Sequence, residues 1–200
     1  MGKQKRRRSP LSAFYILFAE TCVEDYVAPG AEIETIRAAC AADAWQFLSR
    51  EPLHVPLADD SGTLLPDFLM AGNGAIPLAS PRMTETFAAA GVKDYDLWRQ
   101  PVYLEDAELG ISERYELILP PAIQALDMAR SALQERAYDG TVIRTATDIV
   151  IDPAAIGRLQ YFRLRDVTNT ELIVTEQFKE ALEAARLENV HFSALKDQEA

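Results

Sequence analysis

The pattern of hydrophobic and polar residues along the chain predicts short strands that alternate with amphipathic helices. Residues 13–19 (AFYILFA), 115–119 (YELIL) and 161–165 (YFRLR) are rich in branched and aromatic side chains, which is typical of strands. Apolar residues recur at helical spacing over 31–49 and 122–136, and they predict helices there. We therefore expect both kinds of element in one folded unit.

The segment over residues 51–77 differs from these, because it carries four prolines and three glycines. This composition predicts mostly loop and turn. Within it, the sequence PDFLM at 66–70 is expected to form a short apolar knob.

Two segments repeat one another at a spacing of 95 residues. Residues 76–97 and 172–192 each begin with a strand, pass through a hydroxyl residue into an amphipathic helix, and close with another strand. Ser80 and Thr175 are the expected N-caps, and Gly91 is expected to end the first helix. A chance likeness stays open, because any capped helix between strands would align in this way. We predict an α+β fold: a single domain with a mixed or antiparallel sheet and a duplicated strand–helix–strand unit.

The chain begins with a basic segment whose nature has two interpretations. Five lysines and arginines in residues 3–8 precede the apolar residues 11–19, an order that signal peptides share. The apolar run is short, however, and Glu20 follows it with no small-residue cleavage site nearby. We predict a flexible basic tail over 1–12, a folded domain over 13–196 and a short tail over 197–200.

Charge narrows the classes of partner. The 200 residues include 20 Lys and Arg against 31 Asp and Glu, a net charge of −11. Without the five N-terminal cations the remainder carries −16, from 15 basic and 31 acidic residues. Such a body repels polyphosphate and anionic lipid, so we expect neither nucleic acid nor a membrane as the main partner. An acid excess also keeps proteins dissolved, so charge alone assigns no function.

The two cysteines and two histidines do not form a recognisable chemical motif. Cys22 and Cys40 lie in apolar surroundings and are expected to be buried thiols in a reducing cytoplasm. Neither His54 nor His191 has a cysteine or second histidine at metal-ligand spacing. We therefore predict no metal and no cofactor.

Catalytic signatures are also missing from the sequence. There is no G-x-S-x-G nucleophile elbow, and the GNG at 72–74 leads into a proline and a strand instead of a helix. A pair of catalytic carboxylates has no local signature, so a hydrolase of that kind stays open as an alternative. The sequence otherwise predicts a protein that is not an enzyme.

Acidic residues concentrate after the first repeat helix, over 102–116, and along the second repeat unit. Each concentration is either a solvated face or a docking surface for a basic protein. We select as candidate partner-binding residues those expected in loops, where binding residues concentrate. They are Asp94, Asp96, Glu105, Asp106 and Glu108.

Residues 115–131 and 148–195 resemble the bacterial polymorphic-toxin immunity family. They share with it a tyrosine-led strand running on to Leu126-Asp127, an Ile-Asp-Pro turn, a strand with Phe-Arg-Leu, and a strand–cap–helix that ends in a hydrophobic-x-Phe strand. Residues 66–97 resemble the upstream segment of the family, and FYILFAE resembles its first strand. Two departures are Pro120-Pro121, which interrupts a hydrophobic stretch, and Thr175, where serine is usual.

The resemblance implies a cytoplasmic antitoxin for interbacterial competition, without catalytic residues, that neutralises a contact-delivered toxin by occlusion. Members often lie beside toxins of the HNH/endonuclease VII type, which implies a nuclease as the partner. The basic substrate groove of a nuclease would suit an acidic surface. An intracellular adaptor that binds another protein remains an alternative, as does the hydrolase.

Overall fold

The computed structural model describes residues 13–21, 23–34, 50–72, 74–138, 141–165, 167–168 and 171–195. The strands in these residues are β1 (Phe14–Phe18), β2 (Leu53–Pro56), β3 (Phe68–Ala71), β4 (Ile76–Ala79), β5 (Trp98–Asp106), β6 (Ile111–Leu119), β7 (Ala122–Ile123), β8 (Ala132–Tyr138), β9 (Thr141–Asp148), β10 (Tyr161–Leu164), β11 (Leu172–Thr175) and β12 (His191–Ala194). The helices are α1 (Pro81–Ala89) and α2 (Glu176–Ala185), with 3-10 helices at Ala31–Ile33 and Asp94–Asp96. The predicted single-domain α+β fold is confirmed, and it is mostly sheet.

Two five-stranded sheets carry most of the fold. The strand order is β2-β5-β6-β4-β3 in the first sheet and β12-β1-β11-β10-β7 in the second. Neighbouring strands are antiparallel, except for the parallel pairs β2–β5 and β7–β10. Strands β8 and β9 pair with each other in a separate two-stranded sheet.

The predicted duplication is confirmed, with one unit in each sheet. The first unit runs β4–α1–β5 and the second runs β11–α2–β12, and in each the two strands are parallel and flank one antiparallel strand. That middle strand is β6 in the first unit and β1 in the second. The hairpins β3–β4 and β10–β11 precede the two helices. The order β5-β6-β4-β3 in the first sheet therefore matches β12-β1-β11-β10 in the second.

Both helices begin at the predicted caps. Ser80 Oγ accepts the Met83 N–H at 3.1 Å, and Thr175 Oγ1 accepts the Phe178 N–H at 3.4 Å. Both helices are followed by a residue with positive φ, Gly91 at 92° in the first unit and Arg186 at 50° in the second. The left-handed residue that follows the helix is therefore a glycine in the first unit and an arginine in the second.

Two equivalent residues tie each unit to the helix of the other. The backbone oxygens of Asp67 and Gln160 accept the N–H groups of the two N-cap residues at 2.8 and 3.0 Å. The Asp67 carboxylate also accepts the N–H of Glu188, just after α2, at 2.9 Å. Gln160 Nε2 donates to the backbone oxygen of Ala90, at the end of α1, at 3.0 Å. The two units thus hold each other reciprocally.

Asp67 is buried, and its carboxylate has two further partners. Ser80 Oγ donates to Oδ1 at 2.7 Å, and Arg82 Nη1 donates to Oδ2 at 2.8 Å. Arg82 Nη2 donates to the backbone oxygens of Ala185 and Arg186 at 2.6 and 3.1 Å, where α2 ends. One buried carboxylate therefore links the β3–β4 hairpin, the start of α1 and the end of α2.

Three hydrophobic clusters surround the sheets. One lies on the face of the first sheet that carries Val102 and Leu117. The central cluster joins the other face of that sheet to the second sheet and both helices. There Phe87 of α1 meets Phe178 of α2 edge to face, with ring centroids 4.9 Å apart. The third cluster covers the opposite face of the second sheet, around Phe162.

The predicted helix over 122–136 is wrong, because this segment forms β7, a turn and most of β8. The Asp127 carboxylate accepts two N–H groups of the turn that follows it, at 3.1 and 3.2 Å. Local bonding of this kind favours a turn over a helix. Leu126, expected on a helical face, instead forms a β-bridge with Ile151.

Most of the described residues over 51–77 lie outside strands, as predicted, but the segment also contains β2, β3 and the start of β4, which its composition did not predict. The sequence PDFLM is not a knob on a loop, since it contains most of strand β3, in which Phe68 and Leu69 are buried. Pro56 ends β2 at the outer edge of the first sheet, where an edge strand tolerates a missing N–H.

Several predictions fall outside the described residues. They are the tails over 1–12 and 197–200, Cys22, Cys40 and most of the helix over 31–49, of which the structure describes the 3-10 helix at Ala31–Ile33. In the part of the chain that is described, no helix combines the length and apolarity that crossing a bilayer requires.

Candidate functional site

Strand β5 separates the predicted partner-binding residues into two groups. Asp94 and Asp96 lie in the 3-10 helix before β5, whereas Glu105 and Asp106 end the strand and Glu108 lies in the turn after it. An extended chain rises about 3.3 Å per residue, so Asp96 and Glu105 are about 30 Å apart. The structure therefore does not bring the five residues together in one patch, and two of them lie in a strand and not in a loop.

The acids before β5 form ion pairs with arginines. Arg99 Nη1 lies 2.7 Å from Asp94 Oδ1, and Arg99 Nε lies 2.6 Å from Glu116 Oε2. Arg114 Nη2 contacts the other oxygen of Glu116 at 2.8 Å. The guanidinium groups of Arg99 and Arg114 therefore balance the carboxylates of Asp94 and Glu116.

Asp96 is balanced in the same way by Arg158, whose Nη2 lies 3.0 Å from Asp96 Oδ1. The Arg158 guanidinium also lies over the Tyr95 ring, 4.8 Å from its centroid. A hydrogen bond to the Tyr95 hydroxyl raises the pKa of Arg158. We call Asp94, Asp96, Arg99 and Arg158 the paired end of β5.

The opposite end of β5 is assembled from three distant segments of the chain. Leu57 N–H donates to the backbone oxygen of Glu105 at 3.0 Å, which joins residues 57–64 to residues 105–110. Leu64 N–H donates to the backbone oxygen of Asp25 at 2.9 Å, which adds residues 23–28.

These three segments contain seven carboxylates and neither lysine nor arginine. We call this set the acidic end; it consists of Glu24, Asp25, Asp59, Asp60, Glu105, Asp106 and Glu108. Sequence reasoning selected the last three of these residues and missed the first four. The acidic end combines short acid pairs that lie far apart along the chain, so no local charge run revealed it.

Two side chains of the acidic end are held in place by neighbours. Glu105 Oε1 lies 2.8 Å from His54 Nδ1, and the His54 ring stacks on Tyr103 with centroids 5.1 Å apart. Asp106 Oδ1 accepts the N–H groups of Glu108 and Leu109 at 2.8 and 2.9 Å, and so fixes the turn between β5 and β6. His54 thus contacts a carboxylate and an aromatic ring at the surface.

Two exposed leucines accompany the carboxylates. Leu64 is 52% exposed and Leu109 is 54% exposed, and they belong to two of the three segments. Apolar side chains within a polar surround are typical of protein–protein interfaces. The chemistry of the acidic end is therefore suited to contact with a protein. The described residues contain no group of three or more His, Cys, Asp and Glu side chains placed to bind a metal ion.

Residues 50–197 match the family model of the immunity protein family Imm11. The chain belongs to this family. The match extends from before β2 to beyond β12, so both duplicated helices lie within it, and β1 lies before it. The resemblance derived from residues 115–131 and 148–195 is thereby confirmed. No curated protein matches the chain.

Membership of Imm11 associates the chain with toxin immunity and with binding of a cognate toxin. Immunity proteins are generally not enzymes, so the site to consider in an Imm11 protein is a protein-binding surface. The acidic end lies partly within the matched residues, since 57–64 and 105–110 belong to them and 23–28 do not.

Proposed function

We propose that this Imm11 protein is a cytoplasmic antitoxin that binds a cognate polymorphic toxin of the nuclease class and occludes its substrate-binding surface. The observation that supports this proposal is the acidic end, with its seven carboxylates and no lysine or arginine in the three segments that form it.

The physical argument is charge complementarity. A nuclease attracts a polyphosphate substrate through a basic groove, so its groove also attracts a surface of carboxylates. Complementary charge accelerates the encounter and disfavours wrong partners, while apolar contacts contribute most of the affinity. The exposed Leu64 and Leu109 would supply such contacts next to the carboxylates.

Among the predicted partner-binding residues, Glu105, Asp106 and Glu108 belong to the proposed interface. Asp94 and Asp96 are proposed for its margin, because their charge is already balanced by Arg99 and Arg158. A balanced ion pair contributes less to the attraction of a basic partner than a carboxylate with no cation nearby.

The proposal is tested by co-expression with the effector toxin encoded beside the gene. The wild-type chain should rescue the cells and co-purify with the toxin domain. The double variant D60K/E108K, which reverses two exposed charges of the acidic end, should weaken binding about tenfold at low salt, mainly through slower association.

The matched control is the double variant E85K/E180K, which changes the net charge equally on the exposed faces of α1 and α2. It should change binding much less. Equal weakening by both variants would remove the acidic end from the proposal and leave immunity standing. Failure of the wild-type chain to rescue any cell would contradict immunity itself and favour the adaptor alternative.

A further inference from the structure

Strand β12 is the outer strand of the second sheet, whereas its counterpart in the first sheet is covered. The matching order of strands makes β12 equivalent to β5. Beyond β5 the first sheet continues with β2, which runs parallel to β5 from Leu53 opposite Val102 to Pro56 opposite Glu105. Among the described residues, no strand occupies the corresponding place beside β12.

The hydrogen-bonding groups on the open side of β12 follow from its register with β1. Leu195 N–H donates to the backbone oxygen of Phe14 at 2.9 Å, and Ser193 and His191 lie opposite Ile16 and Phe18. In an antiparallel pair, alternate residues direct both backbone groups to the partner strand. His191 and Ser193 therefore bond to β1.

The alternate residues of β12 direct their backbone groups to the opposite side of the strand. Phe192 and Ala194 direct their N–H and C=O groups away from β1, toward the open edge. No described residue forms a hydrogen bond with the backbone N–H or C=O group of Phe192 or Ala194. An open row of this kind is a template for an added strand.

A groove runs beside this edge, between β12 and α2. It has a volume of about 540 Å³, and its lining combines the apolar Leu182, Leu187 and Val190 with the charged Glu183 and Arg186. The Lys179 ammonium borders it, 4.9 Å from the centroid of the Tyr15 ring and 5.8 Å from that of Phe192. A strand added to β12 would direct every second side chain into this groove.

We propose that an extended segment of the cognate toxin adds to β12 as a parallel strand and places alternate apolar side chains in the groove beside α2. This inference rests on the proposed function and specifies how the toxin is held. Strand addition gains affinity from backbone hydrogen bonds and specificity from the pockets that receive alternate side chains.

The parallel direction follows from the duplication and distinguishes the toxin from a second copy of this chain. In the first sheet the chain itself covers β5 with a parallel strand. Two identical edges related by a twofold axis normal to the sheet would pair antiparallel instead. A contact of two four-residue edges would also bury less than the roughly 1,000 Å² that a stable interface needs.

The position of the edge also suits a partner that covers the acidic end. Phe18 pairs with His191 at the start of β12, and six residues later the chain reaches Glu24 of the acidic end. Six residues span at most about 22 Å. A toxin domain of about 100 residues has a radius of gyration near 13 Å, so one such domain can reach both surfaces.

Amide hydrogen exchange of the full chain, alone and bound to the toxin domain encoded beside its gene, tests the inference residue by residue. Alone, the amides of His191 and Ser193 should exchange slowly and those of Phe192 and Ala194 quickly. In the complex, exchange at Phe192 and Ala194 should slow at least tenfold, since hydrogen-bonded amides exchange only when the structure opens.

Substitutions at one position provide a second test. Ala194→Pro removes one outward N–H without removing a bond to β1, and proline is tolerated on the open side of an edge strand. It should weaken toxin binding about fivefold, as expected for one lost hydrogen bond. Ala194→Thr keeps the N–H and is the matched comparison, so it should bind the toxin more tightly than Ala194→Pro does. Unchanged melting temperatures for both variants show that the fold is kept.

The outcomes separate the inference from the proposed function. A complex in which Phe192 and Ala194 still exchange quickly would overturn the inference and leave immunity intact. Protection of these amides in a concentration-dependent dimer, or protection that is lost when residues 1–12 are deleted, would assign the edge to the chain itself and overturn the inference too. A toxin that does not bind at all would overturn both proposals.

Discussion

The two duplicated units share one backbone plan but have different surroundings. In the first unit the outer strand, β5, is covered by β2. The paired end lies at the start of β5, and the acidic end lies where β5 finishes. In the second unit the outer strand, β12, has an open side among the described residues. The comparison shows that equivalent places in a duplicated fold need not perform equivalent tasks.

The units also differ in the hydrogen bonds that each one makes to the helix of the other. Asp67 and Gln160 occupy equivalent places before the two N-caps, and each reaches the end of the opposite helix. Asp67 is a buried carboxylate with Ser80, Arg82 and Glu188 as partners. No described residue donates to Gln160 Oε1. We call these reciprocal contacts between the two units the interlock. Asp67 contributes more hydrogen bonds to it than Gln160 does, and substitutions at the two equivalent positions can measure this difference in free energy of unfolding.

The largest effect is expected at the equivalent pair Asp67 and Gln160. Asp67→Ala should lower the free energy of unfolding by about 3 kcal/mol, because it leaves the Glu188 N–H and the Ser80 hydroxyl without their acceptor and Arg82 without its carboxylate. Gln160→Ala removes one hydrogen bond and should cost about 1 kcal/mol. Urea unfolding followed by circular dichroism measures both values. Equal losses would mean that Asp67 and Gln160 contribute equally to the contact between the two units.

Arg82 and Gln177 form the next comparison, because they follow the two N-caps at the same distance. Arg82→Met should lower the free energy of unfolding by about 2 kcal/mol, since Asp67 loses its cation and the end of α2 loses two donors. Gln177→Met changes an exposed residue and should have an effect within about 0.5 kcal/mol. The same unfolding measurement applies. An effect of Arg82→Met as small as that of its counterpart would contradict the role assigned to the guanidinium.

The two N-caps should differ by less. Loss of a cap costs roughly 0.5–2 kcal/mol in free energy of unfolding. Ser80→Ala should lie near the upper value because its hydroxyl also donates to Asp67, and Thr175→Ala should lie near the lower one. Thermal unfolding of the two variants in one buffer gives the comparison. A larger loss at Thr175 would show that the contact with Asp67 contributes little.

The duplicated helices were predictable because their signals are local. A hydroxyl residue, a proline or acid after it and apolar residues at helical spacing all lie within one segment, so Ser80 and Thr175 identify both helices. The remaining strands of each unit were not predictable from local signals. Thirteen residues separate Asp67 from Ser80, but fifteen separate Gln160 from Thr175, so the hairpins do not align at the spacing that aligns the helices. The middle strand of the second unit comes from the start of the chain.

The candidate site was only partly predictable for the same reason. Glu105, Asp106 and Glu108 form a visible run, whereas Glu24, Asp25, Asp59 and Asp60 join them through backbone hydrogen bonds between distant segments. The arginine that balances Asp96 was equally hidden, because Arg158 lies more than 60 residues away from its partner. Charge counted along the chain gives the total, and the fold decides which carboxylates stand next to a cation.

The smallest effect is expected where the two helices end, and its sign should differ between the units. Gly91 has a φ of 92° and Arg186 a φ of 50°, a region in which residues other than glycine are strained. Gly91→Ala should lower the free energy of unfolding by about 1 kcal/mol, and Arg186→Gly should raise it by somewhat less. The Arg186 variant keeps the backbone oxygen that accepts from Arg82, so the interlock is not removed. Destabilisation by both substitutions would mean that the Arg186 side chain contributes more at the groove beside β12 than its backbone conformation costs.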